Sequence, residues 1–221
     1  MIVNAEQERR ELNKTVLEML TLCISQIEKA TDAFLIHDID LAEQVMYTET
    51  HVNALDIKIE RDCEHFLALY NPVAIDLRFV MATLKINFDL ERIGDHAFGI
   101  SKYIVDQNKK IDPHLFKVLK FDVLYETITA MFENITEAFE NNDVKAARKV
   151  FKQDKILDKI NVQSFEIIEN EIKKNPDVID QTLLLFGVIK KIERVGDLVK
   201  NIAEEIIFYI DAEVLKHKKK K

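Results

Sequence analysis

The sequence predicts an all-α protein in which six long helices form two sequence-related three-helix bundles. Three observations lead there. The 221 residues include only 4 Gly and 3 Pro, no Trp, and abundant Leu, Ile, Glu, Lys and Ala, a composition suited to long helices with few turns. Apolar residues recur with a helical rather than a strand period. The second half of the chain repeats the first.

Helices are expected over residues 3–36, 39–70, 72–109, 113–140, 144–174 and 176–211. The first ends at the polar break Ile36-His37-Asp38, and the fourth and fifth are separated by Asn141-Asn142-Asp143. Each proline follows Asn or Asp, at Asn71-Pro72, Asp112-Pro113 and Asn175-Pro176, the pairing of an N-cap with a first helical residue. These prolines place the starts of the third, fourth and sixth helices. Within the third, Leu77, Val80, Met81, Leu84, Phe88 and Ile93 keep a 3.6-residue rhythm and define a core-facing stripe. Short links imply antiparallel neighbours, hence bundles.

The repeat is held in register across turns. Ala33, Phe34 and Asp38 are matched by Ala138, Phe139 and Asp143, and Glu49 and Asn53 by Asp154 and Asp158, all displaced by 105 residues. Asn-Pro-Val-Ala-Ile-Asp at 71–76 answers Asn-Pro-Asp-Val-Ile-Asp at 175–180, displaced by 104. Residues 3–109 and 113–211 are therefore read as two units, each burying its own apolar face, with a basic tail over 212–221.

A chain that is 48% hydrophobic and 32% charged can bury a sizeable core and is not compositionally disordered. Its net charge of -8 argues against a nucleic-acid partner, the KHKKKK end being a local exception read as a solvated terminus. Cys23 and Cys63 stand far apart with no CxxC, which fits a reducing cytoplasm. The longest apolar run, residues 183–189, is too short to span a bilayer, so any membrane association is expected to be peripheral.

Chemistry concentrates in a pentapeptide that occurs twice, Glu91-Arg92-Ile93-Gly94-Asp95 and, 102 residues on, Glu193-Arg194-Val195-Gly196-Asp197. Glu and Asp four apart lie on one helix face and can approach a single cation. With the preceding helix, each half offers two such pairs: Glu49/Asn53 with Glu91/Asp95, and Asp154/Asp158 with Glu193/Asp197. Converging carboxylates repel one another, and a bound cation removes that cost. An all-oxygen set suits Mg²⁺, Ca²⁺, Mn²⁺ or iron rather than soft-ligand metals. The alternative is a metal-free helical scaffold in which Arg92, Arg194, Lys190, Lys191 and Lys200 pair with these acids at the surface, for about 0–1 kcal/mol each.

Gly94 and Gly196 occupy the same place in both copies, where a glycine costs about 1 kcal/mol relative to alanine. Something approaches closely there, either a packed helix or a cluster. His96 follows Asp95 but its counterpart is Leu198, so it reads as a surface residue, and Asp62 with His65 reads as a local surface pair. No Glu-x-x-His occurs, which disfavours a ferritin-like di-iron oxidase. Nor do G-x-S-x-G, GxxxxGK[ST] or GxGxxG appear. A phosphohydrolase using carboxylate-bound metal is the enzymatic alternative.

On ERIGDHA at 91–97, ERVGDLVKNIAEE at 193–205, PVAIDLR at 72–78 and the ordered pairs at Glu49 and Asp154, the chain resembles the PhoU family of bacterial phosphate-signalling regulators over nearly its whole length. The resemblance implies two PhoU-type bundles whose E/DxxxD motifs hold multinuclear clusters, commonly iron or zinc. It implies regulation rather than catalysis. A family member would work at the inner face of the cytoplasmic membrane, linking a phosphate ABC transporter ATPase to a sensor histidine kinase. There it would repress phosphate uptake and the starvation response when phosphate is plentiful. Self-association as a homodimer or higher homo-oligomer is likewise implied. The chain departs from the pattern at Asn53, which leaves the first-half pair one acid short, and at Gly99, which answers Asn201.

Overall fold

In the computed structural model, residues 2–107 and 109–215 are described, and they contain helices and connections but no strand. The helices are α1 (Ile2–Ile36), α2 (Ile39–Tyr70), α3 (Ile75–Gln107), α4 (Pro113–Val118), α5 (Phe121–Asn141), α6 (Val144–Lys174) and α7 (Ile179–Asp211), with a 3-10 turn at Pro176–Val178. Residues 216–221, most of the expected basic tail, lie outside the described residues.

The two half-chain turns are built alike. His37 and Asn142 both take left-handed backbone (φ 58° and 51°). The next N–H then reaches back five residues, Asp38 to the Ala33 carbonyl at 2.9 Å and Asp143 to Ala138 at 3.0 Å, which closes the preceding helix. The same two aspartates open the following helix. Asp38 accepts from the Leu41 N–H at 2.9 Å, and Asp143 from the N–H groups of Lys145 and Ala146 at 2.8 and 3.3 Å.

Three expected boundaries are corrected. The third helix begins at Ile75, not at residue 72, because Asn71 is the left-handed C-cap of α2 (φ 46°) and Ala74 is left-handed again (φ 49°). The expected helix 113–140 is two helices. Asp112 caps Pro113 as anticipated, but Lys120 turns left-handed (φ 54°) and ends α4. The bend lets Phe121 pack within 5.9 Å of Phe34 and 5.3 Å of Phe116, so aromatic burial outweighs the roughly 1–2 kcal/mol cost of that backbone. Finally, Asn175 caps a 3-10 turn, not α7 directly; its side chain accepts from the Asp177 N–H at 3.2 Å. Of the expected core stripe, Val80 and Ile93 are buried and Leu84 is half-buried, but Leu77, Met81 and Phe88 are exposed, and Phe79, Ile86 and Leu90 of α3 are buried in their place.

Helices α2, α3, α7 and α6 form a row in that order; α1 packs over α2 and α3, and α5 over α6 and α7. That gives two three-helix bundles joined along α3 and α7. These two helices run antiparallel: Phe79 meets Tyr209 edge-on at 5.7 Å, Lys85 pairs with Glu205 at 2.9 Å, and Tyr103 lies under Lys191 at 5.3 Å. One apolar core continues through both bundles.

Candidate metal centre

The second-half site lies where α6 passes α7. Gly196 permits the approach, since a Cβ there would fall 2.4 Å from Leu157 Cδ1, and Leu157 is fully buried. Gly94 does the same between α3 and α2, where a Cβ would meet Val52 Cγ1 at 3.0 Å. Val52 and Leu157 are repeat counterparts. Close helix packing, then, is what the paired glycines serve.

That contact sets the acids against one another. Asp154, Asp158 and Asp197 each present a carboxylate oxygen within 4.8 Å of the others, and among the described residues they are the group of three so disposed. The Asp154 side chain is 8% exposed and that of Asp197 is 49% exposed, so the set runs from the core edge to solvent. Burial raises the Asp154 carboxyl above the ordinary range, against the hydrogen bond from Lys200. Glu193 is raised too, first by burial and then by Asp197, while a hydrogen bond from Asn161 opposes the shift. Partly buried negative charge thus accumulates on this face, and an oxygen donor set of this kind fits a hard or intermediate cation.

The first half is arranged differently. Asn53 Nδ2 donates to Glu49 Oε1 at 3.0 Å, closing that pair on itself. Glu91 is raised by burial, then by Asp95, Asp56 and Glu49, so Asp56 belongs to this cluster although the sequence pairs did not include it. Asp56 accepts from Asn87 Nδ2 at its side chain (2.6 Å) and at its carbonyl (3.1 Å). Its counterpart 105 residues on is Asn161, the partner of Glu193. Each half therefore has five polar positions filled by four acids and one asparagine, with the asparagine at Asn53 in one and Asn161 in the other. The 105-residue displacement that links Glu49 to Asp154 was the available signal for both.

Of the nearby cations, Lys200 ion-pairs with the site, at 2.7 Å from Asp154 and 2.6 Å from Asp197. Arg92 lies over Phe88 (5.7 Å), Lys190 over Phe186 (4.9 Å) and Lys191 over Tyr103. His96 is not a simple surface residue. Half-buried and facing Lys191, Arg194 and Arg92, its imidazole is pushed down to about 4, chiefly by burial.

A PhoU domain matches residues 16–104 and again 122–206, one copy in each bundle. The chain belongs to the PhoU family. A phosphate-specific transport system accessory protein PhoU homolog of Aquifex aeolicus is 30% identical over 211 residues, covering 96% of this chain and 95% of that protein. The accessory protein PhoU of Escherichia coli is 28% identical over 218 residues, covering 97% and 87%. Among solved structures, PhoU from Pseudomonas aeruginosa superposes with a TM-score of 0.89 at 25% identity, covering 94% of this chain and 99% of that one. The phosphate transport system regulatory protein PhoU from Streptococcus pneumoniae gives 0.83 at 26% identity, covering 96% and 99%. The PhoU-family relatives are thus accessory and regulatory proteins of phosphate transport. No helix among the described residues is long and apolar enough to cross a membrane.

Proposed function

We propose that this chain is a regulatory adaptor of phosphate homeostasis that links a phosphate ABC transporter to a sensor histidine kinase. It represses phosphate uptake and the starvation response when phosphate is plentiful. The observation that carries this is the PhoU domain matched once in each bundle, together with relatives named as accessory proteins of phosphate-specific transport. The adaptor acts from the cytoplasmic face of the membrane, peripherally and as a homo-oligomer, without catalysing a reaction. Coupling follows if transporter and kinase bind two conformations with different affinities.

The carboxylate clusters are metal sites in this reading. Asp154, Asp158, Glu193 and Asp197 hold one, and Glu49, Glu91 and Asp95, with Asn53 as a neutral donor and Asp56 beside them, hold the other. Iron or zinc is the choice that the family resemblance implies, and the oxygen donors also suit Mg²⁺, Mn²⁺ or Ca²⁺. A second reading is favoured by Lys200, whose ammonium already offsets two of the acids: a scaffold that needs no metal.

Deleting the gene in its source bacterium tests the adaptor: phosphate-starvation genes should be expressed even in high phosphate, and unchanged phosphate response would defeat it. Elemental analysis of purified protein tests the clusters. Metal is expected, and it should fall when Asp154→Ala/Asp158→Ala and Glu193→Ala/Asp197→Ala are introduced. Metal-free protein from replete cells would favour the scaffold.

A further inference from the structure

Lys200 stands on α7 three residues beyond Asp197 and reaches across to α6. Its Nζ lies 2.7 Å from Asp154 Oδ2 and 2.6 Å from Asp197 Oδ1, two members of the set whose oxygens lie within 4.8 Å of one another. The Lys200 side chain is 26% exposed and that of Asp154 is 8% exposed, so the contact is partly shielded and is more than a loose surface pair. An ammonium carries one positive charge and three N–H donors, and here two of its directions are spent on carboxylates that a metal ion would need. Among the described residues no ammonium ion-pairs with the first-half acids: Arg92 and Lys191 act on Glu91 and Asp95 without an ion-pair contact. The residue 102 positions before Lys200 is Phe98, and the acid Glu49 is engaged by the neutral amide of Asn53.

We infer that Lys200 is a built-in competitor for the second-half cation site: its ammonium holds the place of a metal, and a divalent ion enters by displacing it. The inference rests on the carboxylate clusters being cation sites. It makes the two sites unequal by construction. The first-half acids, with Arg92 and Lys191 nearby but not paired to them, take up a cation without breaking an ion pair, whereas loading the second half breaks an α6–α7 tether and turns an ammonium out toward solvent. Occupancy there is thereby converted into a local change of surface charge.

The test uses the full chain, stripped by chelation and titrated with Mn²⁺ while free Mn²⁺ is followed by electron paramagnetic resonance. Lys200→Met should tighten binding at the second-half site at least tenfold. Binding that remains when Asp154→Asn and Asp197→Asn remove that site should be unaffected by it. The metal-free Lys200→Met protein should melt below wild type, and saturating Mn²⁺ should abolish the difference. Lys200→Gln repeats the comparison should the methionine variant fold poorly. In wild type, acylation of Lys200 by an N-hydroxysuccinimide ester, read by mass spectrometry, should rise on adding Mn²⁺. Unchanged or weaker Mn²⁺ affinity in a folded Lys200 variant, or acylation indifferent to Mn²⁺, overturns the competitor role while leaving the metal sites standing. Failure of wild type and variants alike to bind Mn²⁺ overturns both.

Discussion

His96 follows Asp95 on α3 and faces the α7 cations Lys191 and Arg194 as well as Arg92 of its own helix. Burial and these three positive charges both disfavour the imidazolium, which is why its pKa falls from 6.5 to about 4. A group whose folded pKa is depressed adds stability that is complete above its unfolded pKa and is lost as pH falls through the folded one. The window for His96 is thus about pH 6.5 down to 4. Metal-free His96→Gln is expected to lose less stability than wild type between pH 7 and 4.5. The difference is on the order of 1–2 kcal/mol once solvent screening of this half-buried group is allowed for. Urea unfolding at the two pH values measures it, and parallel losses would show that neither burial nor the three nearby cations depress the imidazole.

At the level of elements, the turns are the most sequence-encoded part of the fold. Asp38 and Asp143 each accept from the first turn of the helix that follows, so Asp38→Ala and Asp143→Ala should each cost about 1 kcal/mol in urea unfolding. A loss below a few tenths for either would mean that water replaces the cap. Both breaks were legible because an aspartate side chain carries them locally. Asn71-Pro72 misled because asparagine serves equally as an N-cap and as a left-handed C-cap, and only packing decides which. The break at Lys120 has no local signal at all, since lysine is not a turn residue; the Phe34, Phe116 and Phe121 cluster imposes it from a distance. The same division holds at the site. Asp154, Asp158 and Asp197 were readable from their i,i+4 spacing on consecutive helices. Asp56 falls outside that spacing with Glu49, and the reach of Lys200 from α7 to Asp154 on α6 is a tertiary contact that spacing along one helix does not encode.

For the whole molecule, the question is whether two repeats make two folding units. Each bundle has its own three helices, but α3 and α7 lie antiparallel along the join and one apolar core passes through both. Separating the bundles would expose buried faces of both helices, with Phe79 and Tyr209 losing their edge-on contact and Glu205, 3% exposed, losing Lys85. Exposed apolar area at about 25 cal/mol per Å² quickly exceeds what either bundle could supply alone, because a half-chain of this size is only marginally stable. The metal-free chain is therefore expected to unfold in one transition despite its 221 residues and internal repeat. It has no tryptophan, so tyrosine emission, reporting in part from Tyr103 and Tyr209 at the join, can be followed beside far-UV circular dichroism. The two urea curves should coincide. Tyrosine emission changing at lower urea than helix content would mean that the join opens first and that the repeats fold as independent bodies.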